Sequence, residues 1–207
     1  CLENAGIVHQ SDASESLAAI KTLLEREGEQ LAAVVLEPSV QGASGMKLQP
    51  AGFVNEVAAL CKKAEVHLIL DEVFVAFGRL GKILVCKEEG VQPDFLCLAK
   101  GLAGGYLPLA ATMTTEDIYS AFSGPFHEHR TFYHGHTFTA NPLAAAVALR
   151  NVEMLEEDLA TGLIGKGISA FGHFIQENFG HHSCIGEIRQ RGLACCLDLC
   201  PSDRHDQ

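Results

Sequence analysis

Apolar residues along the first hundred positions follow two alternating rhythms. In "SESLAAIKTLLERE", residues 14–27, Leu17, Ile20 and Leu24 recur at helical spacing between a capping serine and Gly28, which predicts a helix with ordinary boundaries. The next apolar stretch, "LAAVVLEP", is short, continuous and closed by Glu37 and Pro38, which predicts a strand covered on both faces. The rhythm then repeats. A helix over about residues 50–64 carries Phe53, Val57 and Leu60; "VHLILDEV" is a second buried strand ending at Asp71, and "PDFLCLAK" a third ending at Lys100. Helix then apolar strand, repeated, predicts an α/β fold: a mostly parallel sheet with helices on its faces.

Further along, "PLAATMTT" reads as another strand and is followed by an aromatic, histidine-rich loop, "FSGPFHEHRTFYHGHTFTANP". Pro142 then opens a long helix to about Leu159, with Leu143, Val147 and Leu155 among its apolar positions. From about residue 164 the pattern changes to a glycine-interrupted helix and a strand pair near "IGEIRQRGLACCLDL". That shift predicts one unit over residues 1–160 and the start of a second over 161–207. No internal repeat and no low-complexity segment interrupts either.

Charge narrows the class of partner. The 207 residues are 47% hydrophobic with a formal charge of -11, so a nucleic-acid or anionic-membrane surface, which needs clustered Lys and Arg, is not expected. No apolar run reaches the roughly 18–20 residues that span a bilayer, and the basic-then-apolar order of a signal peptide is missing. A cytoplasmic protein acting on small molecules is the expectation, or one in an organelle if a transit peptide precedes this sequence. Eight cysteines without a CxxC fit reduced thiols better than a disulfide framework. The first residue, Cys1, and an end just after a strand-like run read as an internal fragment.

Function in parallel sheets gathers at the carboxyl ends of the strands. Three such ends here present Glu37, Asp71 and Lys100. A lysine buried at a strand end tends to lose its proton, and a neutral amine attacks carbonyls. Gly101, Gly104 and Gly105 would let backbone approach a bulky ligand. A solvent-facing lysine is the plain alternative. Asp71 in a buried position needs a cationic partner, and a protonated pyridine nitrogen is one. A pair with Arg79, or a cap on the following turn, would serve equally. Asp71 and Lys100 stand 29 residues apart, about one strand-helix-strand unit, so both would face one crevice.

The stretches "LILDEVFVAFGRLGK", "PDFLCLAKGLAGGYLPLAATMTTEDIY" and "HGHTFTANPLAAAVAL" resemble, in this order and spacing, the class III pyridoxal-phosphate aminotransferases of fold type I. The resemblance is strong over about residues 30–160. It implies pyridoxal 5'-phosphate as cofactor, small keto and amino substrates, and a homodimer with shared active sites. Residues 1–160 would be the C-terminal part of the cofactor-binding large domain, and 161–207 the start of the small α+β domain. By position, Lys100 matches the lysine that forms the Schiff base and then shuttles the substrate proton, and Asp71 matches the pyridinium partner. Val73 matches the residue packed on one ring face. Thr137 matches the threonine that reaches the phosphate of the neighbouring subunit; His136 would line the cofactor mouth, and Gly135 would offer its amide to substrate.

Departures from the family pattern refine it. Many members carry glutamine where this chain has Phe74, which removes a hydrogen bond to the cofactor's phenolic oxygen and favours the biotin-pathway branch over ornithine- or γ-aminobutyrate-type enzymes. Another ω-amino-acid transaminase, or a non-catalytic module, is the competing expectation. Glu37 matches a glutamate that in relatives pairs with a substrate-gating arginine, or it serves a local turn. His127, His129, His134 and His136 form H-x-H pairs, but no metal site is expected, since ligands must converge on one point. Cys195, Cys196 and Cys200 alternate like a strand and are expected to be core thiols.

Overall fold

The computed structural model describes residues 13–200; Cys1 and the expected units' outermost residues, 1–12 and 201–207, lie outside them. Helix α1 (Ala13–Glu27) leads to strand β1 (Ala33–Leu36), and a small antiparallel pair, β2 (Val40–Gln41) and β3 (Lys47–Leu48), precedes helix α2 (Phe53–Ala64). Strand β4 (His67–Asp71), a four-residue helix α3 (Val85–Glu88), and strands β5 (Phe95–Leu98) and β6 (Ala111–Thr114) follow. Helices α4 (Glu116–Ala121), α5 (Pro142–Ala160) and α6 (Leu163–Phe179) then lead to the hairpin of β7 (Ile185–Arg191) and β8 (Ala194–Leu199).

One sheet of order β1-β4-β5-β6 organises the molecule. Its first three strands are parallel and β6 closes it antiparallel to β5, so the sheet is mostly parallel, as the helix-strand rhythm predicts. Side chains alternate along each strand. Leu36, Leu68, Leu70, Leu96 and Leu98 therefore share one face, where they form the core with Leu24 of α1 and Phe53, Val54, Val57 and Cys61 of α2. Burying each of the large α2 side chains contributes about 1.5–3 kcal/mol, so packing rather than helix propensity fixes α2.

Two expectations change. Cover on both faces holds for one face only: Val35, pointing opposite to Leu36, is 65% exposed, and all four residues of β6 are exposed. Apolar content shows that a strand can be covered, not which element covers it. The connection from β4 to β5 is also mostly turn. Phe77, Gly78 and Gly81 have positive φ there, and only the four residues of α3 are helical.

Helix α5 starts where expected. Asn141 Oδ1 accepts from the Leu143 and Ala144 N–H groups, at 3.0 and 3.4 Å, and Pro142 takes the first position, where it has no amide to leave unpaired. Its buried stripe consists of Ala144 and Ala148, while Leu143 is exposed. The β7-β8 hairpin docks on the main body. Ala194 joins Val40, Met46, Val75 and Val85 in a second core, and Leu193 N–H donates to Arg79 O at 2.8 Å. Gly192 has φ 61 at the turn, and a Cβ there would lie 2.5 Å from Arg79 O, so the close approach requires glycine. Among the described residues, no helix is long and apolar enough to cross a membrane.

Candidate active site

Strands β4 and β5 run parallel with Asp71 beside Cys97, so the chain leaves the sheet at Asp71 on one strand and just beyond Leu98 on the next. Lys100 opens a short 3-10 turn, Lys100–Ala103, at that carboxyl edge. Its φ is 45°, a left-handed backbone that costs an L-residue about 1–2 kcal/mol. Contacts around the turn offset this. Leu102 N–H donates to Ala99 O (3.0 Å), Gly104 N–H to Gly101 O (3.1 Å), and Asn151 Nδ2 on α5 donates to Gly101 O (2.7 Å) and Leu102 O (3.1 Å).

Lys100 is exposed, not buried as its apolar neighbours imply, because the chain turns out of the sheet at Ala99. Its Nζ stands 5.3 Å from the ring centroid of Phe74, and Arg79 Cζ stands 5.9 Å from the same ring. The quadrupole of an aromatic face attracts such cations by about 0.5–1 kcal/mol at exposed sites. The glycines are also reassigned. A Cβ on Gly101 would lie 2.9 Å from Phe77 Cβ, and one on Gly104, whose φ is 60°, would lie 2.8 Å from Asn151 Oδ1. Both make room for protein; Gly105 alone of the three has open space around it.

Asp71 is half-buried, and its Oδ1 accepts from Val73 N–H at 2.9 Å, so it caps the following turn rather than pairing with Arg79. Val73 is half-buried beside it. The neighbouring acid has a different task. Glu72 is fully buried, and its two carboxylate oxygens accept from Val85 N–H (2.7 Å) and Cys86 N–H (2.6 Å), fastening residues 73–84 to the sheet edge. Burial, and secondarily the Glu72 contact, pushes the Cys86 thiol up to about 12. Sequence reasoning passed over Glu72 and Asn151, although each carried a signal. Glu72 has the parity of the core residues Leu68 and Leu70, and Asn151 continues the buried stripe of Ala144 and Ala148. A polar residue on an apolar stripe needs a partner.

Glu37 serves its local turn: Oε2 accepts from Gly42 N–H at 2.9 Å, and its carbonyl accepts from Gln49 Nε2 at 2.8 Å. Gly135, His136 and Thr137 lie in an exposed turn ahead of α5. There His136 N–H donates to Thr139 Oγ1 (2.9 Å) and Phe138 N–H to His136 Nδ1 (3.1 Å). Thus Lys100, Asp71 and Val73 come together at one sheet edge, whereas no hydrogen bond, ion pair or ring contact among the described residues joins the 135–137 turn to them. Phe126, Tyr133 and Phe138 of the preceding loop are 87%, 78% and 76% exposed. Among the described residues, no group of three His, Cys, Asp or Glu is placed to hold a metal ion, and the seven described cysteines are free, with Cys61 and Cys86 buried and Cys195, Cys196 and Cys200 only partly so.

The edge offers an accessible primary amine and, on the adjoining strand, a carboxylate with one oxygen engaged by the backbone. Such a pair suits a ligand carrying an aldehyde and a protonatable ring nitrogen. Adenosylmethionine-8-amino-7-oxononanoate aminotransferase of Aquifex aeolicus (strain VF5) is 41% identical over 199 residues, covering 96% of this chain and 44% of that protein. The enzyme of that name from Staphylococcus aureus (strain NCTC 8325 / PS 47) is 43% identical over 183 residues, covering 88% and 40%. The crystal structure of the Methanocaldococcus jannaschii DSM 2661 enzyme of the same name superposes with a TM-score of 0.81 at 40% identity, over 89% of this chain and 43% of that one. Plasmodium falciparum ornithine delta-aminotransferase gives 0.76 at 30%, over 93% and 46%. The chain therefore spans less than half the length of the relatives it matches. The family description "Aminotransferase class-III" matches residues 2–207, and with these relatives it shows that the chain belongs to the class III aminotransferases, in their fold-type I architecture.

Proposed function

We propose that this chain carries the catalytic centre of a pyridoxal-phosphate-dependent aminotransferase that passes an amino group to 8-amino-7-oxononanoate, giving 7,8-diaminononanoate in biotin biosynthesis. The observation that carries the reading is the placement of Lys100 and Asp71 at the carboxyl ends of adjacent parallel strands. The substrate assignment draws on the relatives' printed name. Phe74, which has no hydrogen-bonding group to offer beside Lys100, supports that branch.

The residues at the sheet edge fit the cofactor: an exposed amine for its aldehyde and a carboxylate with an oxygen to spare for its ring nitrogen. When bound, pyridoxal phosphate supplies an electron-withdrawing ring that acidifies the substrate carbon bearing the amine. Lys100 Nζ would hold the cofactor and would take and return the substrate proton. Asp71 would keep the cofactor's ring nitrogen protonated, and Val73 would lie against its ring. Thr137 would donate its hydroxyl and amide to the phosphate of a neighbouring subunit's site, His136 would line the mouth, and Gly135 would offer its amide to substrate. Exposed Phe126, Tyr133 and Phe138 support a homodimer, since such apolar surface is costly to leave wet. We place the boundary of the cofactor domain at residue 160, between α5 and α6, and the enzyme in the cytoplasm, where free thiols persist.

Borohydride reduction of the protein loaded with pyridoxal phosphate, followed by peptide mapping, tests the reading. The label is expected on Lys100; a label on Lys82 or Lys87 instead overturns it. Asp71→Asn should keep the cofactor and lose most turnover, and a near-normal rate in that variant would reduce Asp71 to its turn-capping role.

A further inference from the structure

We infer that Asn151 is the positioning residue for Lys100, a polar tether from α5 that holds the lysine's backbone in the one conformation that aims its amine; the inference rests on the cofactor-binding role proposed for Lys100. A lysine side chain has four rotatable bonds, so where its nitrogen can go is set first by the direction of its Cα–Cβ bond. That direction is unusual here. Lys100 has φ 45°, in the region that a residue with a Cβ avoids, and Ala99 before it is almost fully extended at φ -163° and ψ -151°. Such a conformation persists only when its surroundings over-determine it.

The surroundings are two clamps. On one side Gly101 lies against Phe77, so closely that a Cβ would stand 2.9 Å from Phe77 Cβ. On the other side a single carboxamide nitrogen meets two carbonyls, with Asn151 Nδ2 donating to Gly101 O at 2.7 Å and to Leu102 O at 3.1 Å. An amide nitrogen has two hydrogens, so both are used. The carboxamide oxygen faces Gly104, where φ is 60° and a Cβ would lie 2.8 Å from Asn151 Oδ1. Asparagine is a poor choice for the middle of a helix, where its side chain competes with the backbone. Asn151 sits mid-helix in α5 on the stripe begun by Ala144 and Ala148, so its tertiary contact explains its presence. Without the tether the turn can relax toward negative φ, and the Cα–Cβ bond of Lys100 swings away from the crevice.

The test compares Asn151→Asp, which keeps the shape and removes both donors, with Arg150→Ala on the exposed side of the same helix, where Arg150 pairs with Glu153 and Glu157. The readout is the rate at which the whole apoenzyme, mixed with pyridoxal phosphate, acquires a borohydride-trappable bond at Lys100, followed by mass spectrometry of the Lys100 peptide. Thermal unfolding is recorded in parallel. Asn151→Asp should slow the trapping rate by about tenfold or more at a temperature where it is fully folded, as misplacing a reacting group by an ångström does. Arg150→Ala should stay within about twofold of the unmodified protein. If Asn151→Asp does not fold, Asn151→Ser, which keeps one donor and adds no charge, should fall between the two. A folded Asn151 variant that traps at the unmodified rate overturns the inference, and so does a slowing that only tracks the unfolded fraction. Failure of the unmodified protein to label Lys100 would instead overturn the cofactor role itself.

Discussion

Replacing Glu72 by glutamine removes one acceptor and one negative charge from a place that water does not reach. The carboxylate accepts two backbone N–H groups, Val85 at 2.7 Å and Cys86 at 2.6 Å, and the side chain is fully buried. A hydrogen bond to a charged group contributes about 1.5–3 kcal/mol, so the pair contributes about 3–6 kcal/mol. In the glutamine the carbonyl oxygen keeps one bond at a neutral strength of about 1 kcal/mol, while the NH2 group confronts the second amide donor to donor. Leaving that buried N–H unmatched costs about 1–3 kcal/mol, and the net loss comes to about 3–8 kcal/mol. With a urea dependence of about 2 kcal/mol per molar, the unfolding midpoint should fall by about 1.5–4 M.

Urea unfolding followed by circular dichroism measures the shift, and hydrogen exchange at the Val85 and Cys86 amides locates it. Those two amides should exchange faster in Glu72→Gln even before global unfolding, because their acceptors hold residues 73–84 down. A midpoint within about 0.3 M of the unmodified protein, with both amides still protected, would refute the reasoning. A rise in the midpoint would refute it differently, by showing that keeping a carboxylate dry costs more than its two bonds return.

Four further outcomes are expected. Burial raises the Cys61 thiol to about 11, with Asp94 adding to it, and the Cys86 thiol to about 12, so N-ethylmaleimide at about pH 8 should label Cys184 and Cys200 well before either. Because both folded values lie above the ordinary 9.0, this part of stability is complete below about pH 9 and should fall as pH rises further; a flat alkaline limb would count against it. Arg189, hydrogen-bonded to Asp198 and Glu187, holds the Asp198 carboxyl below its usual range, so that contribution is present at neutral pH and lost on acidification; Asp198→Asn should destabilise at neutral pH and converge with the unmodified protein in acid. Mixing Thr137→Ala subunits with Lys100→Ala subunits should restore about a quarter of the activity if each site draws the two residues from different chains, and none, despite subunit exchange, if it does not.

The elements that local signals specify were legible in the sequence. Gly28 ends α1, although its start at Ala13 leaves Ser14 inside the helix; Asn141 and Pro142 start α5, and the ends of two apolar runs placed Asp71 and Lys100 at the sheet edge. What depended on partners distant in sequence was not. Whether Lys100 is dry or wet turns on how the chain leaves the sheet at Ala99 and Lys100, and that turn is bonded to a residue on α5. The open side of the sheet at Val35 has the same cause: an apolar run reports that a face can be covered and does not name its cover. Glu72 lay between the two cases. Alternation gave its direction into the core, but only the return of the chain at Val85 and Cys86 supplies its acceptor role.

On the proposed reading, the arrangement at this edge separates holding from reacting. Asp71 and Glu72 are consecutive acids, yet alternation sends one to the core, where it fixes 73–84 through buried amides, and leaves the other half-buried with a single backbone contact. Lys100 and Asn151 repeat the division: the lysine bears the strained φ and an exposed amine, and the asparagine bears the hydrogen bonds that keep the strain in place. A residue that must change partners during chemistry is poorly suited to bearing a fold, since each change would be felt in stability. It follows that neutralising Asp71 or truncating Lys100 should move turnover far more than unfolding, whereas Glu72 should move unfolding first. Asn151 joins the two classes, because its hydrogen bonds stabilise the turn and the turn aims the amine.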